Sequence, residues 1–299
     1  MKVFVLISTY NGEKFLHEQI DSILAQKGVD ADILVRDDGS SDKTCSLLDK
    51  WQEEGKLKWY KGDNLGFARS FMNLLSSAAD GYDYYAFCDQ DDIWLDDKLQ
   101  RAVNALEAVD DQVKLYCSNV YYYKNGQTFG GIHRTAPVFD KYTCLMRNIS
   151  PGCTMVMSSK LREVLVSALP SKLIAHDFWV FQTAMLLGTV HYDFEPTMLY
   201  RQHENNQIGQ KVRRKDIWKR RWKNLTSGKR MHEREEQAQE LLRCLSPYFQ
   251  PETREIVEKV ANYRHSLRKK IRLIKDKRYT MGSPKADFYA RMRLLVSKF

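Results

Sequence analysis

The sequence predicts an α/β protein in which a largely parallel sheet is covered by helices on both faces and is followed by a basic helical region. Two observations predict this fold class. Over the first 112 residues, short apolar segments alternate with segments of helical periodicity, as in parallel strands joined by helices. Polar clusters at 8–11, 37–42 and 89–92 directly follow three of the predicted strands. Ligands of such sheets bind at this carboxyl edge.

The first strand is predicted at residues 3–7, because a continuous apolar run with β-branched residues indicates a strand buried on both faces. A helix follows at 15–24, where apolar residues recur at helical spacing. The further predicted strands are 32–36, 57–60, 82–88, 152–157, 190–194 and 197–200, and residues 113–123 are rich in β-forming residues. The further predicted helices are 43–53, 66–79, 158–168, 176–187, 232–245 and 252–275, with loops and short strands over 129–147.

The composition divides the chain into an acidic N-terminal part and a basic C-terminal part. Of the 299 residues, 43% are hydrophobic, which supplies a sizeable core and excludes a disordered chain. Residues 201–299 carry 27 Lys and Arg against 11 Asp and Glu, a net charge of +16, whereas residues 1–200 carry −7. The basic part favours an anionic partner, and charge alone leaves nucleic acid and an acidic membrane surface open.

The six cysteines are not spaced as metal ligands. This spacing argues against a zinc site and fits a reducing compartment. No apolar run is long enough to cross a bilayer, and the first residues lack the features of a secretory signal. We therefore expect a cytoplasmic protein.

The triplet Asp89-Gln90-Asp91 ends a predicted strand and indicates a metal site. In an extended backbone, residues two positions apart project to the same face, so Asp89 and Asp91 can address one ligand. Mg²⁺ and Mn²⁺ are held by one or two carboxylates, with substrate phosphates and water completing the shell. An acid-rich turn is the alternative, but the neighbouring polar clusters favour binding of a metal and a diphosphate.

The other two clusters match no glycine-rich phosphate loop. Neither Thr9-Tyr10-Asn11 nor Asp37-Asp38 belongs to a GxGxxG or GxxxxGK[ST] pattern, which argues against a Rossmann dinucleotide site and a P-loop ATPase. A carboxylate at the second strand end can accept a hydrogen bond from a base or a ribose. It can equally open a turn or cap a helix, and the residues alone leave both roles open.

Together these motifs resemble the family 2 glycosyltransferases, enzymes of the GT-A fold. Two later motifs resemble the subgroup that builds bacterial cell-surface polysaccharides, rhamnosyltransferases in particular. The likeness runs in consistent order over roughly residues 2–225. The motifs lie at residues 8–11, 36–42, 64–66 and 89–94, and later at 176–177 and 200–206.

The resemblance implies a division of the chain and a set of donor-binding residues. Residues 1–210 would form the GT-A catalytic domain, with a nucleotide-sugar half over about 1–112 and an acceptor half over about 113–210. Residues 211–299 would form the basic helical region. In such enzymes the first cluster lies along the nucleotide, and the second contacts the pyrimidine base. The implied nucleotide-sugar residues are Thr9, Tyr10, Asn11, Asp38, Arg69, Asp89 and Gln90.

The resemblance also implies a cofactor, Mn²⁺ or Mg²⁺. Asp91 would bind the ion directly, Asp89 would face the ribose or the metal, and His203 would be a further metal or diphosphate ligand. The metal neutralises charge that develops on the leaving nucleoside diphosphate. The residues expected at the acceptor or sugar site are Asp92, Trp94 and Gln202, although an aromatic residue after a strand is more often part of a core.

Asp177 is the predicted general base. It lies in the apolar stretch 173–179, and apolar surroundings raise the basicity of a carboxylate. From its position alone, a helix cap is the more common role of such an aspartate. The resemblance implies that Asp177 takes the proton from the acceptor hydroxyl while that oxygen attacks the anomeric carbon, with inversion of configuration.

Two amphipathic stripes in the basic region have the pattern of interfacial helices, with aromatic residues among cations. One is formed by Trp218, Trp222 and Leu225, and the other by Phe288, Met292, Leu295 and Phe299. Packing on the catalytic domain is an equally good interpretation of each stripe. We expect these basic helices to contact an anionic membrane surface, which would hold the enzyme at the inner face of the cell membrane.

The sequence thus predicts an inverting, metal-dependent glycosyltransferase. We expect it to move a sugar, L-rhamnose from dTDP-rhamnose in the first place, onto a growing polysaccharide on a polyprenyl carrier. UDP-galactose, UDP-glucose and UDP-N-acetylhexosamines are the alternative donors. A basic nucleic-acid-binding protein is the alternative from another class, but no groove-reading motif or stacking platform is recognisable, so no nucleic acid is expected.

Overall fold

The computed structural model describes residues 1–203 and 232–299 and divides the chain into two compact units. The first unit comprises Met1–Pro137, Ser150–Leu169 and Ala175–His203, and the second comprises Val138–Ile149, Pro170–Ile174 and Glu204–Phe299. The sequence prediction placed both inserted segments of the second unit in the 1–210 domain. They group with the C-terminal helices because the backbone N–H of Ser171 donates to Glu240 (2.8 Å) and Lys141 donates to Thr253 (3.2 Å).

The first unit contains eleven strands and six α-helices among its described residues. The strands are β1 (Lys2–Thr9), β2 (Asp30–Asp37), β3 (Lys58–Lys61), β4 (Tyr84–Cys88), β5 (Ile93–Trp94), β6 (Lys114–Ser118), β7 (Tyr121–Lys124), β8 (Gln127–Thr128), β9 (Val156–Ser158), β10 (Thr189–Asp193) and β11 (Met198–Arg201). The helices are α1 (Leu16–Leu24), α2 (Thr44–Glu53), α3 (Phe67–Ser77), α4 (Lys98–Glu107), α5 (Ser159–Ser167) and α6 (His176–Leu187).

Seven strands form the main sheet in the order β10-β6-β9-β4-β1-β2-β3. Six of them run parallel, and β9 runs antiparallel to both of its neighbours, β4 and β6. The side chains of Val3, Val5 and Ile7 on β1 are fully buried, as the continuous apolar run requires in the centre of a two-faced sheet. The predicted fold class is confirmed.

A smaller sheet, in the order β5-β11-β7-β8, adjoins the carboxyl edge of β4 through the loop 89–92. The β-rich segment 113–123 forms parts of two strands, because the chain leaves the main sheet after Ser118 and enters the smaller sheet at Tyr121. The strand predicted at 152–157 begins instead as a turn of 3₁₀ helix at Gly152–Thr154. The antiparallel strand β9 then starts at Val156.

The described C-terminal part of the second unit is helical. Its helices are α7 (Glu233–Leu245), α8 (Pro251–Ala261), α9 (Leu267–Lys275) and α10 (Pro284–Leu295). The helix predicted over 252–275 is interrupted by a 3₁₀ turn at Tyr263–His265, after which the Ser266 hydroxyl accepts from Lys269 N and caps α9. The predicted stripe of Trp218, Trp222 and Leu225 lies outside the described residues.

Candidate active site

The ends of β1, β2 and β4 bring the three polar clusters to one edge of the sheet. These strands are neighbours, and their register pairs Thr9 with Asp37 and Ile7 with Cys88. The residues that follow each strand therefore emerge side by side. This geometry agrees with the expectation that ligands bind beyond the carboxyl ends of parallel strands.

Gln90 joins the acidic loop to the end of β1. Its side-chain oxygen accepts from Thr9 Oγ1 at 2.6 Å and from the backbone N–H of Tyr10 at 2.8 Å, and its amide nitrogen donates to Tyr10 O at 3.2 Å. With its backbone held in this way, the Tyr10 side chain is 49% exposed. An aromatic side chain held open at a sheet edge is suited to stacking on a planar ligand.

Asn11 connects the first and second clusters. Its backbone N–H donates to Ser40 Oγ at 2.8 Å, and its side-chain oxygen accepts from the backbone N–H of Ser41 at 2.9 Å. These bonds hold Asn11 at a φ of +50°, a left-handed conformation that asparagine adopts more readily than most residues. The turn that ends β1 is therefore fixed against the turn that ends β2.

Asp38 is buried, and its carboxylate is turned toward the loop after β3. One oxygen accepts from Arg36 and from Leu65 N, and the other accepts from Gly66 N at 2.9 Å. Arg36 is itself buried and also donates to Asp63 O. Asp38 thus fixes the 64–66 segment at the start of α3. The contact with a base that the resemblance implies stays a prediction.

Because the Arg36–Asp38 pair is buried, we expect Asp38→Asn to lower the free energy of unfolding by about 3–5 kcal/mol. The substitution leaves the Arg36 guanidinium buried without its counter-charge. The matched control is Asp80→Asn, since Asp80 also pairs with an arginine but has an 89% exposed side chain; its expected cost is at most about 1 kcal/mol. Urea unfolding followed by tryptophan fluorescence measures both, and equal costs would contradict the expectation.

Asp89, Asp91 and Asp92 form the acidic centre of the site. Asp89 Oδ1 and Asp92 Oδ2 are buried and have no hydrogen-bond partner among the described residues. Burial, followed by the charge of Asp91 and, more weakly, that of Asp177, raises the pKa of Asp89 to about 7. Burial likewise raises the pKa of Asp92 well above its ordinary value. Carboxylates held this close in a dry environment repel one another.

His203 lies directly against this acidic centre. Its Nε2 is 2.6 Å from Asp91 Oδ2, and its ring stacks on Phe15 with 5.3 Å between the ring centroids. The side chains of Asp91 and His203 are 18% and 23% exposed, so both reach solvent. The predicted metal residues Asp91 and His203 are thus in contact, across 112 residues of sequence.

The donor set fits a hard divalent cation. A positive ion would satisfy the buried carboxylate oxygens that lack a partner among the described residues and would offset the mutual repulsion of the aspartates. Carboxylate oxygens are the ligands that Mg²⁺ and Mn²⁺ prefer. Cys153 has a ligand atom within 4.8 Å of ligand atoms of both Asp89 and Asp92. Burial raises the pKa of its thiol well above the ordinary value, so the thiol stays protonated at neutral pH.

Asp177 lies in the first turn of α6, close enough to the acidic centre for its charge to act on Asp89. Its carboxylate accepts from Phe178 N at 2.7 Å, and its charge contributes to the raised pKa of Asp89. The preceding residue, His176, is fully buried, and burial lowers its pKa to about 3. The His176 ring packs against Phe71, with 4.2 Å between the ring centroids, and neither ring nitrogen has a hydrogen-bond partner among the described residues. This neutral imidazole therefore packs in the core next to Asp177.

The structure corrects two of the residues predicted for the acceptor or sugar site. Trp94 is only 3% exposed and packs in the core under the ammonium group of Lys98, so it does not form a wall of an open site. Asp92 is fully buried and accepts from the backbone N–H of Arg201 at 3.0 Å. Gln202 is half-buried, and Arg69 is exposed in the first turn of α3.

Sequence analysis missed two residues beside the site. Arg201 donates to Asp91 O at 2.7 Å and to Glu18 at 2.6 Å, and its guanidinium lies over the Phe15 ring. Phe67 is 45% exposed, and its ring lies 4.9 Å from that of His176. Arg201 lies within the 200–206 motif, and that position could have indicated a role at the site. No sequence pattern distinguishes Phe67 from a core residue.

The sheet topology, the acidic residues at its carboxyl edge and the aspartate in the first turn of α6 agree with what the resemblance to the glycosyltransferases implies. The comparison with protein families gives the particular family. The model described as "Glycosyl transferase family 2" matches residues 4–165, more than half of the chain. The chain belongs to this family.

Two characterised relatives share extended similarity with the chain. The dTDP-rhamnosyl transferase RfbG of Shigella flexneri is 34% identical over 231 residues, which cover 72% of this chain and 77% of RfbG. The Escherichia coli enzyme WfgD, a UDP-Glc:alpha-D-GlcNAc-diphosphoundecaprenol beta-1,3-glucosyltransferase, is 26% identical over 155 residues, which cover 52% of this chain and 59% of WfgD.

Solved structures support the fold. Residues 1–349 of S. aureus TarS, in complex with UDP, superpose with a TM-score of 0.58 at 18% identity, covering 93% of this chain and 76% of that one. The mannosyltransferase PcManGT of Pyrobaculum calidifontis, in complex with GDP-Man and Mn²⁺, superposes with a TM-score of 0.51 at 18% identity, covering 99% and 85%. Among the described residues, no helix is both long and apolar enough to cross a membrane.

Proposed function

We propose that this family 2 glycosyltransferase moves L-rhamnose from dTDP-rhamnose, with inversion and with Mn²⁺ or Mg²⁺, onto a growing cell-surface polysaccharide. The observation that carries the proposal is the contact of Asp91 with His203 beside Asp89, whose buried Oδ1 has no partner among the described residues, with Asp177 near enough to act on Asp89 by its charge. The similarity to RfbG over 72% of the chain supports rhamnose as the sugar. UDP-glucose and related UDP-sugars are the alternative donors, supported by the similarity to WfgD.

The donor would lie along the carboxyl edge of the main sheet. In this proposal the exposed ring of Tyr10 stacks on the base, while Thr9 and Gln90 hold the Tyr10 backbone in position. Asn11 keeps the neighbouring turn at Ser40 and Ser41 in place. Asp38 acts indirectly, because its hydrogen bonds to Leu65 N and Gly66 N fix the 64–66 segment. Arg69 lies three residues after this segment, in α3.

Asp91, Asp89 and His203 would hold the divalent ion. When bound, the ion supplies Lewis-acid stabilisation of the diphosphate leaving group. Arg201 holds the 89–92 loop in place. Its side chain donates to the carbonyl of Asp91, and its backbone N–H donates to the carboxylate of Asp92. Gln202, next to this arginine, would contact the sugar or the acceptor.

Asp177 would accept the proton from the acceptor hydroxyl as that oxygen attacks the anomeric carbon. The N–H of Phe178, which donates to Asp177 Oδ1 at 2.7 Å, helps to orient the carboxylate. A single displacement with a single base inverts the anomeric configuration. Because His176 is neutral and packed among aromatic rings, it supplies support rather than a second proton acceptor.

The proposed acceptor is a glycan on a polyprenyl diphosphate carrier. WfgD, whose acceptor is an undecaprenyl-linked sugar, supports this class of acceptor. Such an acceptor would bring the enzyme to the inner face of the cell membrane, where the net charge of +16 on residues 201–299 favours an anionic surface.

Donor hydrolysis and nucleotide binding test the proposal together. We expect dTDP-rhamnose, among a set that includes UDP-glucose, UDP-galactose and UDP-N-acetylglucosamine, to be hydrolysed with Mn²⁺ or Mg²⁺, and EDTA to abolish the turnover. Calorimetry should give tighter binding of dTDP than of UDP. Turnover of a UDP-sugar alone would replace rhamnose in the proposal, and absence of binding by both nucleotides with metal present would overturn it.

A further inference from the structure

Helices α9 and α10 present large apolar side chains to solvent. Leu267 is 70% exposed, Phe288 is 63% exposed and Leu295 is 54% exposed. Single exposed apolar residues are common, whereas a group of them on adjoining helices marks a surface with a partner. We call this group the α9–α10 surface; its members are Leu267, Ile271, Phe288, Met292, Leu295 and Val296.

The six side chains belong to one continuous surface. Lys270 Nζ contacts Ser297 Oγ at 2.5 Å and the carbonyl of Leu295 at 3.4 Å, so the middle of α9 lies against the end of α10. Leu267 and Ile271 are one turn apart on α9 and flank Lys270. On α10, Phe288, Met292 and Leu295 follow at intervals of four and three residues and thus form one stripe, and Val296 directly follows the helix.

The sequence predicted part of this surface and was wrong about one residue. Phe288, Met292 and Leu295 are exposed as expected for an interfacial stripe, but Phe299 is only 3% exposed. Its backbone N–H donates to the phenolic Oη of Tyr263 at 3.2 Å. The chain therefore turns inward after α10. Helix α9, which the sequence analysis did not single out, supplies the remaining exposed apolar residues.

Cations surround the α9–α10 surface. Residues 262–299 contain 12 Lys and Arg against two Asp and Glu, a net charge of +10. On α9, Arg268, Lys269 and Arg272 are exposed, and none of them forms an ion pair within the described residues. Exposed cations without carboxylate partners retain their full attraction for an external anionic surface.

We propose that the α9–α10 surface docks on an anionic lipid bilayer. Apolar side chains enter the boundary between headgroups and acyl chains, and neighbouring cations bind the anionic headgroups. The inference rests on the proposed function, because a lipid-linked acceptor brings the enzyme to such a bilayer. Charge complementarity selects a bilayer over a second copy of this chain, whose identical surface carries the same positive charge.

Vesicle sedimentation with the full-length protein tests the docking. We expect binding to vesicles of phosphatidylglycerol and phosphatidylcholine, and at least roughly tenfold weaker binding to pure phosphatidylcholine. Leu267→Ser with Ile271→Ser should weaken binding to the anionic vesicles roughly tenfold or more, because both apolar side chains leave the interface. Lys269→Gln with Arg272→Gln should weaken it roughly fivefold for each cation removed.

Two matched controls address non-specific effects. Val138→Ser with Leu24→Ser removes exposed apolar side chains outside the α9–α10 surface. Lys43→Gln with Lys50→Gln removes the same charge from exposed positions on the first unit. Both controls should bind vesicles like the wild type. Wild-type binding by the Leu267/Ile271 variant, or equal loss in the controls, would overturn the proposal.

Two further measurements separate the docking from other outcomes. If sedimentation velocity gives a wild-type dimer that the Leu267/Ile271 variant converts to monomers, the surface joins two copies and the proposal is overturned. Binding of dTDP and of UDP with Mn²⁺ is measured without vesicles. Normal nucleotide binding with no vesicle binding by the wild type overturns the docking alone, whereas absence of binding by both nucleotides overturns the proposed function and leaves the vesicle result to stand on its own.

Discussion

Asp177→Asn is expected to lower the rate of sugar transfer by roughly 10³-fold while leaving dTDP affinity within a factor of about two. The amide keeps the size of the side chain and an oxygen that can accept from Phe178 N, as the carboxylate does at 2.7 Å. It cannot take up the proton of the attacking hydroxyl. The loss therefore falls on kcat, and steady-state kinetics with calorimetry of dTDP binding separates the two quantities.

The control for Asp177→Asn is Glu252→Gln, which removes an acid from the first turn of α8. Both changes remove a favourable charge at a helix N-terminus and should cost about 0.3–1 kcal/mol of stability. Only the Asp177 variant should lose transfer. A rate within tenfold of the wild type for Asp177→Asn would exclude this residue as the base, and a parallel loss of dTDP affinity would indicate a structural role instead.

Asp91→Asn is expected to lower Mn²⁺ affinity and the rate of metal-dependent transfer by at least roughly 100-fold. The change removes the carboxylate that contacts His203 at 2.6 Å and weakens the negative field that also raises the pKa of Asp89. Electron paramagnetic resonance of free Mn²⁺ measures the affinity directly, without reference to activity. The increase in dTDP affinity that the wild type gains on addition of Mn²⁺ should vanish in the variant.

Asp96→Asn is the matched control for Asp91→Asn. Asp96 is five residues further along the chain and pairs with Lys27, and both of those side chains are more than half exposed. Its replacement should leave Mn²⁺ affinity and transfer unchanged within a factor of about two. If Asp91→Asn binds Mn²⁺ as tightly as this control does, Asp91 is not a metal ligand and the role of the acidic loop must be reassigned.

The sequence predicted the main sheet well because its strands are long apolar runs separated by clear helical periods. Residues 3–7 and 82–88 are examples, and their neighbouring position follows from parallel βαβ connections. The insertion of β9 between β4 and β6 was not predictable in the same way. A three-residue strand has no measurable period, and its antiparallel direction depends on pairing with residues about 40 to 70 positions away.

The sequence predicted which residues belong to the candidate site more successfully than it predicted where their side chains point. The sequence indicated Asp91 and His203, which the structure brings into contact. It could not decide whether Trp94 faces a ligand or the core, because a two-residue strand gives no alternation to interpret. Nor could it predict that Asp38 would turn toward Arg36 and the 64–66 backbone, since that depends on where the loop after β3 passes.

The order of strands in the main sheet also determines when the site can form during synthesis. Strands β1 to β4 pair with one another and emerge from the ribosome first, but β9 and β10 must be translated before the sheet is complete. His203 comes 112 residues after Asp91, a delay on the order of 10 s at ordinary elongation rates. The acidic loop is therefore without its histidine through roughly half of the synthesis of the first unit. Nascent chains stalled before residue 203 should have a folded N-terminal core and an incomplete active site.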